Sequence, residues 1–109
     1  MTIVIDDAYR GHILERLRAN IKDIKMAVEE ALEGETLLDV YAVGDILEPG
    51  SFTEMSDVEI LFHIDGDGGM DSYLSDQAQI DLELAGIPEL ESPRAIVWRG
   101  PIEEKALRI

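Results

Sequence analysis

Two carboxylates, Asp57 and Glu59, stand two residues apart in the run 57–64 (DVEILFHI). Val58, Ile60, Phe62 and Ile64 alternate there with Asp57, Glu59, Leu61 and His63, the period of a strand with one apolar face. Both carboxylates therefore point the same way and can share one hard cation. Asp81 and Glu83 repeat this spacing in the run 79–85 (QIDLELA), which reads as a further strand with Ile80, Leu82 and Leu84 inward. Pairing of the two strands with these faces aligned would bring Asp57, Glu59 and Asp81 together. Such a cluster repels itself when ionised. Magnesium relieves the repulsion, because it takes one or two carboxylates and completes its shell with water and substrate phosphates. Upstream, the β-rich run Leu37–Val43 (LLDVYAV) ends at Gly44. A glycine there lets backbone approach a phosphate closely.

The stretch 40–64, VYAVGDILEPGSFTEMSDVEILFHI, resembles the signature of the polymerase-β nucleotidyltransferase superfamily. That signature is a strand, a hydrophobic-Gly-Ser step, a loop, and Asp-hydrophobic-Asp/Glu on the next strand. Ser56-Asp57-Val58-Glu59 looks like its acidic half, in the form with Glu as second acid. Asp81, on a run closed by Gly86 and Pro88, is similar to the third carboxylate of the minimal nucleotidyltransferases. The resemblance spans about residues 10–90. It implies an α/β (α+β) nucleotidyltransferase-like fold, a small mixed sheet with an N-terminal helix on one face. It also implies a two-metal Mg site formed by Asp57, Glu59 and Asp81, with the third acid assisting deprotonation. ATP or another nucleoside triphosphate would donate its nucleoside monophosphate (AMP from ATP) to an acceptor hydroxyl, by the two-metal clamp on attacking and leaving oxygens. Gly44 and Asp45 take the place of the Gly-Ser step. An ionised Asp45 cannot donate to a phosphate as serine does, and Gly50-Ser51 is the nearby alternative donor. The same departure opens a second expectation, a non-catalytic binding module of antitoxin or regulatory type on the same scaffold. Minimal nucleotidyltransferases commonly pair with small helical HEPN-type proteins, so the resemblance also implies a partner chain or a self-dimer that completes the site.

The elements that must position these residues are legible in outline. Residues 8–33 read as one helix, with Leu14, Leu17, Ile21, Ile24, Val28 and Ala31 on a single stripe and Gly34 as its stop. That stripe suits packing on the chain's own sheet, and it also permits a short coiled coil or a docked partner. Residues 44–56 read as a Gly/Pro loop and 65–72 as an acidic loop, with a short helical turn admitted around 72–78. Ala95 to Trp98 admits a strand or a helix, and 105–109 an edge strand. The sheet core spans about 37–109, and a chain of 109 residues is one domain, 1–109, by its length.

Composition excludes several classes. With 24 acidic and 9 basic residues the formal charge is -15, which opposes binding to a nucleic-acid backbone. A hydrophobic fraction of 46% is too high for a disordered acidic tail. There is no cysteine, so disulfides, thiol catalysis and Cys-bound zinc drop out. No apolar run reaches the roughly 18–20 residues that span a bilayer, and the N-terminal residues lack a basic signal region, so a cytoplasmic location is the expectation.

Other groups have bland readings. Asp65, Asp67 and Asp71 hint at a calcium loop, but Met70 and Asp76 stand where an EF-hand needs Gly and Glu, so an acidic turn is the better reading. His63 shares the carboxylate face and reads as a polar neighbour, and His12 reads as exposed. Trp98 and Tyr41 read as core or core edge. Arg16, Arg18, Lys22 and Lys25 read as solvating helix residues.

Residues 1–25 carry a net charge of +1 and the remainder -16, and only 3 of the 9 basic residues are lysine. Such a surface repels itself in dilute buffer and is relieved when salt screens it over a few ångströms. The chain is therefore expected to come from a salt-rich (halophilic) cytoplasm and to melt at a higher temperature in molar KCl than in dilute buffer. Equal melting temperatures by circular dichroism would overturn this.

Overall fold

The structure is a computed structural model that describes residues 3–87 and 92–109. It is a mixed α/β arrangement in which helices cover one face of a five-stranded sheet. The elements are α1 (Asp7–Ala19), α2 (Ile21–Val28), β1 (Leu37–Val43), β2 (Val58–Ile64), β3 (Gly69–Met70), α3 (Ser72–Ala85), β4 (Pro93–Arg99) and β5 (Leu107–Arg108). The strand order is β3-β4-β2-β1-β5.

The expected single N-terminal helix is broken at Asn20. The Asp6 carboxylate caps α1 by accepting from Tyr9 N at 2.8 Å. At the other end the Asn20 backbone and side chain both donate to the Arg16 carbonyl, at 3.0 and 2.9 Å. An amide side chain that competes for a helix carbonyl ends the helix there. Asn20 then starts α2, and a 3-10 turn, Glu30–Leu32, follows. The stripe survives the break, because Leu17, Ile24, Val28 and Ala31 are all buried. Glu33 at φ 52 and Gly34 at φ 84 turn the chain into β1.

β1 and β2 pair antiparallel, with Val40 opposite Phe62 and Ala42 opposite Ile60. These four side chains, with Ile64, Val97 and Leu82, form the centre of the core. β4 pairs with β2 in parallel, from Val58–Pro93 to Ile64–Arg99. A parallel pair needs a crossover that returns the chain to its starting end. That requirement overturns the strand expected over 79–85. Residues 72–85 are instead α3, capped by Asp71, which accepts from Leu74 N at 2.9 Å, and closed by Gly86 at φ 56. Leu74, Ser75, Ala78 and Leu82 face the core. Ile80 and Leu84, expected inward, are exposed. Pro88, the proline of the compared motif, lies outside the described residues. Residues 94–99 resolve to strand, and β5 is the edge strand expected near the C-terminus.

The outer edge of β4 is short of strand partners, since β3 covers it only at Trp98 and Arg99. Side chains of α3 take over the rest. Ser75 Oγ accepts from Val97 N at 2.8 Å, and the Gln79 amide accepts from Ala95 N at 2.6 Å and donates to Pro93 O at 2.8 Å. Buried strand groups left unpaired would each cost a hydrogen bond. The crossover helix therefore also seals the sheet edge.

Arg99, the last residue of β4, ties the far end together. Its guanidinium donates to the Asp65 carbonyl at 3.1 Å, to Glu35 at 3.0 Å and to the α3 cap Asp71 at 3.3 Å. The Arg99 hydrogen bond holds the Glu35 carboxyl below the ordinary glutamate value. The Leu74 amide, with Arg99, does the same for Asp71. Carboxyls with lowered folded pKa values stabilise the fold above their unfolded titration range and lose that effect as the pH falls through the folded one. Arg99→Ala is therefore expected to lower the melting temperature at neutral pH and to lose less than the parent on acidification to pH 3. Parallel acid limbs for parent and variant in thermal melts would refute the coupling.

Candidate site on the open sheet face

The face of the sheet opposite the helices is set by the registers. Along it Val43, Glu59 and Arg94 form one cross-strand row, and Tyr41, Leu61 and Ile96 the next. Asp39, His63, Trp98 and Met70 form a third. Most of this face is apolar, and the segment after β4 folds back over part of it. Trp98 Nε1 donates to the Pro101 carbonyl at 3.0 Å and holds that segment down. Between strands and segment lies a cavity of about 530 Å³, lined by Val43, Gly44, Glu59, Leu61, Met70, Ile96, Trp98, Pro101, Ile102 and Glu103.

Glu59 is the charged group of the cavity floor. Its carboxylate sits against Gly44, so closely that a Cβ on residue 44 would overlap Oε2. Gly44 also has φ 82, a conformation side chains rarely adopt. The glycine expected to admit a phosphate thus admits a carboxylate. Burial raises the Glu59 carboxyl above the ordinary glutamate value, and the Asp45 carboxylate adds to the rise. Arg94 pulls it back, while Asp57 and Glu103 push it up further. The strand β2 thus has an acid whose charge is unwelcome where it stands.

Of the other expected site residues, Asp57 and Asp45 stand near Glu59, and Gly50, Ser51 and Asp81 do not join them. Asp57 precedes β2 and is exposed, within electrostatic reach of Glu59. Asp45 is exposed at the start of a 3-10 turn and accepts from Ser56 Oγ at 3.4 Å. Gly50 and Ser51 lie in an exposed turn, with Ser51 N donating to the Glu48 carbonyl at 3.1 Å. Neither lines the cavity. Asp81 is on α3, which packs on the helix-bearing face, so it does not join Asp57 and Glu59 on the open face. On the strand that does flank Glu59, its register partner is Arg94. The described residues form no group of three or more His, Cys, Asp or Glu able to hold a metal ion. The set expected to hold two Mg ions is therefore not assembled among them.

Arg94, Glu103 and the cavity role of Trp98 escape the sequence reading. Each depends on a register or a fold-back that no local pattern encodes. The chain matches no family model, no curated protein and no solved structure. No helix among the described residues is long and apolar enough to cross a membrane.

Since folded Glu59 holds its proton more tightly, its contribution to stability declines as the pH rises from the ordinary glutamate range through its raised one. Its titration is expected to move down in Asp45→Asn and up in Arg94→Ala. Side-chain carboxyl NMR across pH 3–8 measures both shifts, and a shift of either in the opposite sense contradicts this electrostatic picture.

Proposed function

We propose that this chain is a non-catalytic binding module on a nucleotidyltransferase-like scaffold, of antitoxin or regulatory type, and that its binding site is the cavity on the open sheet face. The observation that carries the reading is the strand register that sets Arg94, and not a carboxylate, opposite Glu59 on β4. A two-metal site of the expected kind needs a further carboxylate beside Glu59. A guanidinium within electrostatic reach of Glu59 supplies no metal ligand and opposes the accumulated charge of two divalent ions. Asp45 in place of the phosphate-binding serine acts in the same direction, since it repels a triphosphate and cannot donate to it. The order strand, glycine turn, Asp-Val-Glu strand is what supports the scaffold itself. A helical partner or a second copy is the proposed assembly, docked elsewhere than on the apolar stripe of the N-terminal helices, which the chain's own core takes up.

The second reading is a Mg- and ATP-dependent nucleotidyltransferase. The grouping of Asp57, Asp45 and Glu59 within electrostatic reach favours it, because an excess of negative charge at one place attracts a divalent cation. A partner chain would then contribute the rest of the site.

The two separate on label transfer. Incubation with Mg and α-labelled nucleoside triphosphates is expected to give no label on the chain or on a co-purified partner, and calorimetry no Mg·ATP binding. Metal-dependent transfer that disappears in Asp57→Ala/Glu59→Ala, with the fold kept by circular dichroism, would reverse the order of the readings.

A further inference from the structure

We propose that the cavity on the open sheet face binds an organic cation, a protonated amine or guanidine carried on a flat apolar body. The cavity of about 530 Å³ is within the roughly 300–1,000 Å³ of small-molecule sites. Its walls divide by chemistry. Leu61, Ile96, Trp98 and Ile102 supply an apolar slot, and the charged lining among the described residues is Glu59 and Glu103.

The charge balance selects the ligand. Around Glu59 stand the carboxylates of Asp45, Asp57 and Glu103 against the guanidinium of Arg94. An anion entering the slot meets this excess of negative charge. A neutral apolar ligand would strip water from Glu59 without replacing it, which is costly for a carboxylate. A cation replaces that water with a charge-assisted hydrogen bond and leaves its body in the slot. Arg94, opposite Glu59 in the strand register, does not close the site, because it is exposed and does not line this cavity.

Trp98 makes the slot suitable for a flat group. Its indole N–H is committed to Pro101 at 3.0 Å. Gly69 lies beside the ring, where a Cβ would come within 3.6 Å. The ring is thus held from two sides before any ligand arrives, which lowers the ordering cost of stacking and of cation–π contact.

The proposal deepens the reading of this cavity as a binding site and rests on it. Trp98 is the chain's one tryptophan, so its fluorescence reports the cavity directly. The probes are 4-phenylbutylamine, its neutral counterpart 4-phenylbutanol, and 4-phenylbutyrate. The amine is expected to change Trp98 emission saturably, with affinity about tenfold above the alcohol, the worth of one charge-assisted hydrogen bond. The carboxylate is expected not to saturate. Glu59→Gln should retain alcohol binding and abolish most of the amine's advantage. Should that variant fail to fold, Glu103→Gln at the exposed end of the cavity is expected to reduce the same advantage severalfold. Equal affinities for the three probes, or no saturation with the amine, overturn the proposal. Label transfer from a nucleoside triphosphate overturns the binding-module reading instead, so the two failures are distinguishable.

Discussion

The parallel pairing of β2 with β4 is the constraint on which the rest of the structure depends. It places β2 between β1 and β4, with Ile60, Phe62 and Ile64 fully buried against the helices. It requires a crossover, and α3 is that crossover. It leaves the outer edge of β4 needing partners, which Ser75 and Gln79 supply. It also decides what stands beside Glu59. Had residues 79–85 formed the neighbouring strand, Asp81 could have faced the open side. With β4 there instead, Arg94, Ile96 and Trp98 take those positions.

The open face follows from the same pairing. Two-layer α/β packing covers one side of the sheet, and alternation puts every second residue of β1, β2 and β4 on the other. On this chain those residues are mostly apolar, which is why the segment carrying Pro101 and Ile102 folds back over them and why Trp98 anchors it. The cover is partial. The remaining gap is the cavity, with Glu59 turned against Gly44 at its floor. A carboxylate among the apolar residues of the cavity floor, held where burial opposes its charge, is a feature that packing alone does not require.

The parts of this fold with strong local periodicity were legible in the sequence. Leu37–Val43 is the strand that its β-rich run announces, and β2 follows the alternation of Val58, Ile60, Phe62 and Ile64. The helical stripe from Leu14 to Ala31 packs inward even though Asn20 divides the helix, with Leu17, Ile24, Val28 and Ala31 buried and Leu14 and Ile21 partly buried against them. The run 79–85 misleads because Ile80, Leu82 and Leu84 alternate over a short window. The four-residue steps Leu74, Ala78 and Leu82, which the core selects, extend outside that window. The acidic pair Asp57 and Glu59 was visible as a local pattern. Their company was not, since Arg94 and Glu103 come from 35 and 44 residues beyond Glu59 in the chain. Trp98, which the sequence places at the core or its edge, packs on the open face rather than under the helices.

The acidity of the chain acquires two meanings from this geometry. Carboxylates such as Glu35 and Asp71 are placed opposite Arg99, and ionisation strengthens the fold there. Glu59 is placed where burial and its neighbours Asp45, Asp57 and Glu103 oppose ionisation, and Arg94 offsets only part of this. A chain with 24 acids and 9 bases has few cations to distribute. Two of them, Arg94 and Arg99, stand five residues apart near the two ends of the same strand, on opposite sides of this contrast. At Arg99 the positive charge meets two acids that it lowers, so the site is satisfied from within the chain. At Glu59 the acids outnumber the one arginine, and the deficit is positive charge beside an apolar slot. A ligand that brings positive charge on an apolar body makes good both shortages at once, whereas a triphosphate must bring its own cations merely to approach.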